Sequence, residues 1–502
     1  MIGAKVAESA SRMALVQLLV KALDAIALLV VARFLTPTDF GLVALAVSIL
    51  LVANALTRLP VIDVLVQKPK LEEQLVHTAF TLTALRGLSI SIVLMLLAAP
   101  LSIWLDDARL LGIVCLIALS PLFEGLSSPN MVWFLRKVKY GPVAMTQMSG
   151  RIVSFIVILV IAVYSKTYWA LVIGMVIAPF VTTFTTYILA PYRPRLRLNG
   201  MLDILPFAGW VTLSQVILTL NQQADRFFVG SVLGKASLGQ YAMAGDIASM
   251  ASWTIATPVM QPLFSGFSRM KNDMPRLTKA YLKGQQIMIT IVAPLGFGLA
   301  AVADSLIPLA IGPQWQPSVA LIWWLGPTIA LQMMTVPVHS MTMALAKPKL
   351  LVLRELFALL VRLPITLLAA FWFGLLWAVI ARCVTSFFIV GLNLSIATRL
   401  LNVTVIQQLV NCMRAVLSAF VMVAGITIFQ YSVQGSASTL IAFLHLVSAI
   451  VIGGFIYTLS LLYLWRLAGC PDSAESWILG RIQLQFVKIR NRLVSHYKGT
   501  RA

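Results

Sequence analysis

At 502 residues the chain is long enough for several soluble domains, but 60% of it is hydrophobic and only 11% is charged, far from the balance of a globular protein. A formal charge of +21 would suggest nucleic acid as a partner of a soluble protein. Here the basic residues fall mostly between long apolar runs, where they orient a chain in a bilayer, so no nucleic-acid partner is expected.

A bilayer core takes roughly 20 apolar residues as a helix. Polar and Pro/Gly breaks divide the sequence into fourteen such segments, at 13–34, 41–66, 80–104, 110–134, 145–164, 168–190, 206–232, 238–264, 284–310, 318–345, 350–373, 374–398, 411–431 and 437–465. The first lacks a small-residue cleavage site after a short apolar core and is expected to stay on as a helix. The eleventh and twelfth nearly run together at Gly374. The predicted fold is therefore an all-α polytopic membrane protein of about fourteen transmembrane helices.

Lysine and arginine alternate in density along these segments. One side collects 25 of them, from Lys5 and Arg12 through Arg193, Arg195 and Arg197 to seven in the C-terminal tail, whereas the other carries only Arg109, Lys166 and Lys235. Cytoplasmic loops keep their positive residues, so both termini are expected in the cytoplasm. Outer connections are short, and the longest predicted cytoplasmic link, 266–283, is basic. The tail at 474–496 has Ile478, Ile482, Phe486, Ile489 and Leu493 on one helical face and reads as a basic amphipathic segment lying on the inner leaflet.

An internal repeat appears at an offset of 198 residues, which aligns Phe34–Val61 with Val232–Val259. Identities include Leu35/Leu233, Gly41/Gly239, Ala44/Ala242, Ala46/Ala244, Ile49/Ile247, Ala53/Ala251 and Pro60/Pro258. Six helices separate the copies, and an even number preserves orientation, so the halves are parallel repeats. The expected organisation is an N-lobe (1–190), a cytoplasmic linker (191–205), a C-lobe (206–398), two added helices (411–465) and the tail (474–502).

Seventeen charges fall inside the predicted spans: Lys21, Arg33, Arg58, Arg86, Arg151, Arg226, Arg354, Arg362, Arg382 and Arg414, with Asp24, Asp63, Glu124, Asp225, Asp246, Asp304 and Glu355. A charge at the bilayer centre costs about 3 kcal/mol on insertion scales, so these side chains need a watery cavity, a partner or a substrate. Arg33, Arg86, Arg226, Arg354 and Arg414 lie near predicted helix ends and can reach the headgroups. Among the deeper charges, Lys21, Arg58, Arg151, Arg362 and Arg382 outnumber Asp24, Glu124 and Asp246. A cavity of net positive charge suits phosphate or diphosphate, for which guanidinium forks are well matched. Asp24, Glu124 and Asp246 are candidates for binding a coupling proton or cation. Lys21 and Asp24, three apart on one helix face, could pair with each other. Cys115, Cys383, Cys412 and Cys470 are scattered, and His77, His339, His445 and His496 are dispersed, so no metal site is expected.

The stretch ARFLTPTDFGLVALA (32–46), echoed in DRFFVGSVLGKASLGQYAMA (225–244), resembles the turn between the first two helices of each lobe in Wzx-like oligosaccharide flippases of the multidrug/oligosaccharidyl-lipid/polysaccharide superfamily. PLSIWLDDARLLGIVCLIALSPLFEGL (100–126), FLRKVKY (134–140) and PLAIGPQWQPSVALIWWLGP (308–327) extend that resemblance over roughly residues 8–465. It implies two six-helix lobes around a cationic cavity, two added C-terminal helices and alternating access. The implied cargo is an undecaprenyl-diphosphate-linked oligosaccharide, flipped across the bacterial inner membrane for exopolysaccharide, capsule or O-antigen assembly. A polymerase or co-polymerase is the implied partner, and no cofactor is implied beyond a proton or sodium gradient. By position, Lys21, Asp24, Arg58 and Arg151 fall to the first-lobe cavity, and Asp225, Asp246, Arg362 and Arg382 to the second, with Asp225 and Arg226 at its outer end.

Three alternatives stand beside that reading. A membrane glycosyltransferase or polymerase would present a sizeable outer loop with acid–base residues, and none is predicted here. A drug exporter of the same fold would favour a negative or aromatic cavity. Lipid II flippases place arginine at key points of their first two helices, where helix 1 of this chain offers Lys21.

Overall fold

The computed structural model describes residues 2–58, 61–67, 72–137, 139–197, 205–432, 439–471 and 476. The tail at 474–496 apart from Ser476, Pro60, linker residues 198–204 and the side chains of Lys5, Arg12 and Asp63 lie outside the described residues. Helices account for nearly all the rest, and no strand occurs among the described residues.

In chain order the helices are α1 (Ile2–Ala32), α2 (Pro37–Leu56), α3 (Val61–Gln67), α4 (Glu73–Trp104), α5 (Arg109–Ile117), α6 (Leu119–Gly125), α7 (Val132–Arg136), α8 (Tyr140–Ser165) and α9 (Trp169–Leu189). They continue with α10 (Leu205–Met270), α11 (Met274–Ala310), α12 (Pro317–Gln332), α13 (Val336–Ala344), α14 (Pro348–Phe373), α15 (Leu375–Leu401), α16 (Val405–Ser432) and α17 (Thr439–Leu467). Among the described residues, ten stretches are long and apolar enough to cross a bilayer, with α12 and α13 counting as one, and the bent pair Arg109–Gly125 and Pro129–Arg136 makes an eleventh. With α1 and the two arms of α10, all fourteen segments read from the sequence are helical. Apolar side chains such as Leu96, Phe184, Leu360, Ile428 and Phe455 are exposed on their outer faces, as a lipid-facing surface requires. The chain is a multi-pass membrane protein.

Local chemistry explains where the helices start and stop. Thr36 caps α2, its hydroxyl accepting from the Asp39 amide at 3.2 Å, with Pro37 at the first helical position. Thr404 and Gln407 cap α16 reciprocally, at 3.2 and 3.1 Å. Gly234 (φ 83) divides α10 into two arms, and Gly374 (φ 85) separates α14 from α15. Both are left-handed conformations that suit a residue without a Cβ.

Several boundaries differ from expectation. The second segment, read as one span over 41–66, breaks after α2, leaving Thr57 and Arg58 outside any helix. The fourth, read over 110–134, bends by 54°. There Ser128 leaves the helix, its amide donating to Thr186 Oγ1 and its hydroxyl to the Ala190 carbonyl, and Pro129 cannot continue the ladder. The basic link at 266–283 is mostly helical, since α10 runs to Met270 and α11 starts at Met274, where Asp273 accepts from the Arg276 amide. α4 likewise starts at Glu73, seven residues before the predicted span.

By compactness the chain forms two units. The first comprises Met1–Asp246, Ala310–Leu321 and Glu355–Thr385, and the second comprises Ile247–Leu309, Ile322–Arg354 and Ser386–Ala502. Close helix contacts in the first unit are made by glycines: a Cβ on Gly87 would overlap the Pro121 carbonyl, and one on Gly125 the Thr83 carbonyl. The core of the second unit gathers Ile289, Ala293, Phe297, Leu394, Ala419 and Met422, and the Tyr457 hydroxyl donates to the Thr290 carbonyl at 2.7 Å.

The first unit also shows the repeat in three dimensions. A Cβ on Gly41 would overlap the Lys235 carbonyl, and a Cβ on Gly239 would overlap the Pro37 carbonyl. Adding 198 to positions 37 and 41 gives 235 and 239, so the contact is its own image under the repeat. Two parallel copies related by a two-fold axis meet in this way.

Candidate functional site

Twelve of the seventeen charges in the predicted spans form two clusters in the first unit. In the first, Arg151 of α8 pairs with Asp24 of α1, Nη1 to Oδ1 at 3.2 Å, and the two side chains remain 48% and 31% exposed. Lys21, one turn before Asp24, is exposed and acts on the same carboxylate. Glu124, at the end of α6, is exposed and lies in the fields of Arg86 and Arg151. Arg86 of α4 holds the end of α2, its Nη2 donating to the Asn54 carbonyl and Asn54 Oδ1 at 3.1 and 3.0 Å, and Arg58 stands within its field. Four cations, Lys21, Arg58, Arg86 and Arg151, face two carboxylates, Asp24 and Glu124.

In the second cluster Asp225, on the first arm of α10, forms an ion pair with Arg362 of α14. Arg382 of α15 adds its Nε at 3.8 Å, and the Tyr241 hydroxyl donates at 3.3 Å. The Arg382 guanidinium also lies over the Tyr241 ring, 5.4 Å from its centroid. Arg226 pairs with Asp246 across the Gly234 break, and Asn221 donates to Glu355 at 2.6 Å. Arg226, Arg362 and Arg382 are thus matched by Asp225, Asp246 and Glu355. The cavity beside Asp225 measures about 10 Å³, room for a single water.

The expected substrate-binding set is therefore divided. Lys21, Asp24, Arg58 and Arg151 come together on the open first cluster, with Glu124 beside them; Arg362 and Arg382 lie in the closed second one, with Asp225, and there Asp246 pairs with Arg226. The ion pair of Asp24 is with Arg151, on another helix, rather than with Lys21 one turn away. Sequence reading let Arg86 reach the headgroups; in the structure its guanidinium is held by Asn54 at the end of α2. Tyr241 and Asn54 were also missed, because an uncharged side chain gives no signal by its presence in a span.

A third network sits on the side with few basic residues. Asp107, in the turn before α5, accepts from Lys235 Nζ at 2.9 Å and Arg109 Nη2 at 3.0 Å, and Arg109 Nη1 reaches Asp39 at 3.0 Å. Burial pushes the Asp107 carboxyl up, but the hydrogen bonds from Arg109 and Lys235 outweigh it and hold the group at about 2.

The sequence and the fold have counterparts. Succinoglycan biosynthesis transport protein ExoT of Rhizobium meliloti (strain 1021) is 24% identical over 291 residues, covering 57% of this chain and 58% of that protein, so the match spans less than two thirds of the relative. Lipopolysaccharide biosynthesis protein WzxC of Escherichia coli (strain K12) is 20% identical over 342 residues, covering 66% and 69%. Among solved structures, lipid II flippase MurJ in an inward closed conformation superposes with a TM-score of 0.71 at 12% identity, covering 92% of this chain and 98% of that one. The likeness to MurJ shows a shared fold. The family model described as polysaccharide biosynthesis protein matches residues 30–320, more than half of the chain and both copies of the repeat that aligns Gly41 with Gly239, and the chain belongs to that family.

Proposed function

We propose that this protein is a flippase that moves an undecaprenyl-diphosphate-linked oligosaccharide from the cytoplasmic to the periplasmic leaflet of the bacterial inner membrane. The observation that carries this reading is the first cluster, where four cations face two carboxylates and the side chains of Lys21, Arg151 and Glu124 are exposed. Guanidinium forks bind phosphate oxygens in pairs. The names of the relatives, one a succinoglycan transport protein and one a lipopolysaccharide biosynthesis protein, agree with a polysaccharide precursor as cargo.

The pairing of Asp24 with Arg151 supplies a mechanism. Before cargo arrives the Asp24 carboxylate balances the charge of the Arg151 guanidinium and holds it in place. An arriving diphosphate takes over Arg151 and frees Asp24, which then accepts a proton or a sodium ion. Glu124 is the second candidate for that ion, and Asp246, held by Arg226, is the third. The two lobes, 1–190 and 206–398, rock around the site to expose it to each leaflet in turn. No bond in the cargo is made or broken, so the protein is not an enzyme in this reading. Both termini are cytoplasmic, and released units pass to a polymerase or co-polymerase on the outer face.

Deletion of the gene in its own host tests the reading. Loss of polymer with complete lipid-linked units stranded on the cytoplasmic leaflet is the expected result. Truncated units, or complete units accumulating on the outer leaflet, would overturn it in favour of a transferase or polymerase.

A further inference from the structure

A cavity of about 320 Å³ opens in the first unit beside the outer charge network, away from both intramembrane clusters. Its floor is apolar, made by Leu42, Leu45 and Leu110, all buried. One wall is Trp104, the last residue of α4. Its indole stacks on Phe227 with centroids 5.7 Å apart and planes 24° from parallel, which covers one face, yet Trp104 remains 62% exposed and lines the cavity.

Polar residues complete the lining. Asp106, Ser231 and Lys235 line the same space, offering a carboxylate, a hydroxyl and an ammonium. Lys235 donates to the Asp106 carbonyl at 3.2 Å as well as to Asp107, which fixes the rim. Asp106 adopts a left-handed backbone (φ 49) as the cap that ends α4, where the Asp107 amide donates to the Ser102 carbonyl at 3.0 Å and the Asp106 amide to the Ile103 carbonyl at 3.2 Å.

An indole with one fixed face and one free face, beside a carboxylate, a hydroxyl and a cation, matches the chemistry of a sugar ring. The ring's C–H face lies on the aromatic surface, and its hydroxyls bond to the polar rim. A lipid tail would desolvate the exposed Asp106 carboxylate and offer it no hydrogen bond, and a bare phosphate would meet an apolar floor and that carboxylate. The volume is at the lower end of the range for ligand pockets, about 300–1,000 Å³, which fits one small unit better than a whole oligosaccharide.

We infer that this cavity binds one sugar unit at the outer end of the transport path. Its place in transport rests on the flippase reading; the binding itself does not. The test uses full-length protein in nanodiscs, labelled with fluorotryptophan and observed by fluorine NMR, with Trp104→Phe identifying the Trp104 resonance and Trp104→Tyr as a second variant should that one fail to fold. Glucose, galactose, N-acetylglucosamine and glucuronic acid are the probes, and sodium phosphate is the control.

A saturable shift of the Trp104 resonance with at least one sugar and none with phosphate is expected. The shift should vanish in Ser231→Leu, which removes the rim hydroxyl and intrudes on the cavity without altering Trp104. No shift with any of the four sugars, an equal shift with phosphate, or a shift that survives Ser231→Leu would each overturn the inference. Stranded units on gene deletion without a sugar-induced shift would remove the pocket and leave the flippase standing; a sugar-induced shift in a protein whose deletion leaves polymer intact would do the reverse.

Discussion

The two intramembrane clusters use the same device in different surroundings. Each pairs a carboxylate on the first helix of a predicted lobe with an arginine on its fifth: Asp24 with Arg151, and Asp225 with Arg362. At the offset of 198, Asp24 aligns with Gln222, so the second carboxylate sits three residues, about 4.5 Å, further along its helix. The first pair is 31% and 48% exposed, the second 4% and 11%. Burial decides what the charge is for. A solvated pair keeps its field available to a ligand, whereas a buried pair mainly neutralises itself, and losing one partner strands the other.

The largest effect should come from stranding a buried charge. Arg362→Ala leaves Asp225 buried with only Arg382 and Tyr241, and should cost about 3–5 kcal/mol, seen as a large loss of membrane abundance and of thermal stability in detergent. Arg151→Ala removes the partner of a carboxylate that is already a third exposed and should cost about 0–1 kcal/mol. Equal destabilisation by the two variants would erase the distinction between the clusters.

Function should reverse that order. Arg151→Glu is expected to leave abundance near wild type and to cut polymer export by at least about tenfold, the loss of roughly 1.4 kcal/mol of cargo binding. The exchange Asp24→Arg with Arg151→Glu keeps both the pair and the net charge. Export that stays low in the exchanged protein would show that the cation must project from α8, whereas full recovery would reduce the pair to packing.

A smaller effect should separate the repeat contact from its surroundings. At Gly41 a Cβ would overlap the Lys235 carbonyl, whereas at Gly245 it would meet nothing within 4 Å. Gly41→Ala should destabilise by about 1–3 kcal/mol, and Gly245→Ala should be neutral or slightly stabilising, as measured by thermal unfolding of the purified proteins. A neutral Gly41→Ala would mean that the two copies do not meet as closely as the fold places them.

Much of this architecture was legible in the sequence because it follows from short-range rules. Fourteen apolar runs, the alternation of basic residues and the division at Gly374 are read one residue at a time or over a single window. The break at Thr57–Arg58 was missed because apolar residues dominate on both sides of it. The bonds of Arg86 to Asn54 on another helix leave no mark in the sequence, which showed only that its side chain could reach the headgroups. Which cation meets which carboxylate was not legible: Asp225, Tyr241, Arg362 and Arg382 come from three helices as many as 157 positions apart. Sequence balance showed an excess of positive charge, but tertiary packing decided that Arg362 and Arg382 would be matched and Arg151 left half open.

The outer network supplies an aqueous reference for both clusters, and its effect should be the smallest. Asp107 lies in a turn outside the spans, with its carboxyl held at about 2, below the 3.8 of a free aspartate, by Arg109 and Lys235. A group whose folded value is depressed contributes stability above its unfolded value and loses that contribution as the pH falls through the folded one. The gap in unfolding temperature between wild type and Asp107→Asn should therefore stay constant from about pH 7 to pH 5, narrow below about pH 4 and close near pH 2. Added salt should narrow it at neutral pH, because the pairs of Arg109 are partly exposed. A gap independent of both pH and salt would mean that Asp107 contributes through the shape of its turn, and that its ion pairs with Arg109 and Lys235 add nothing to it.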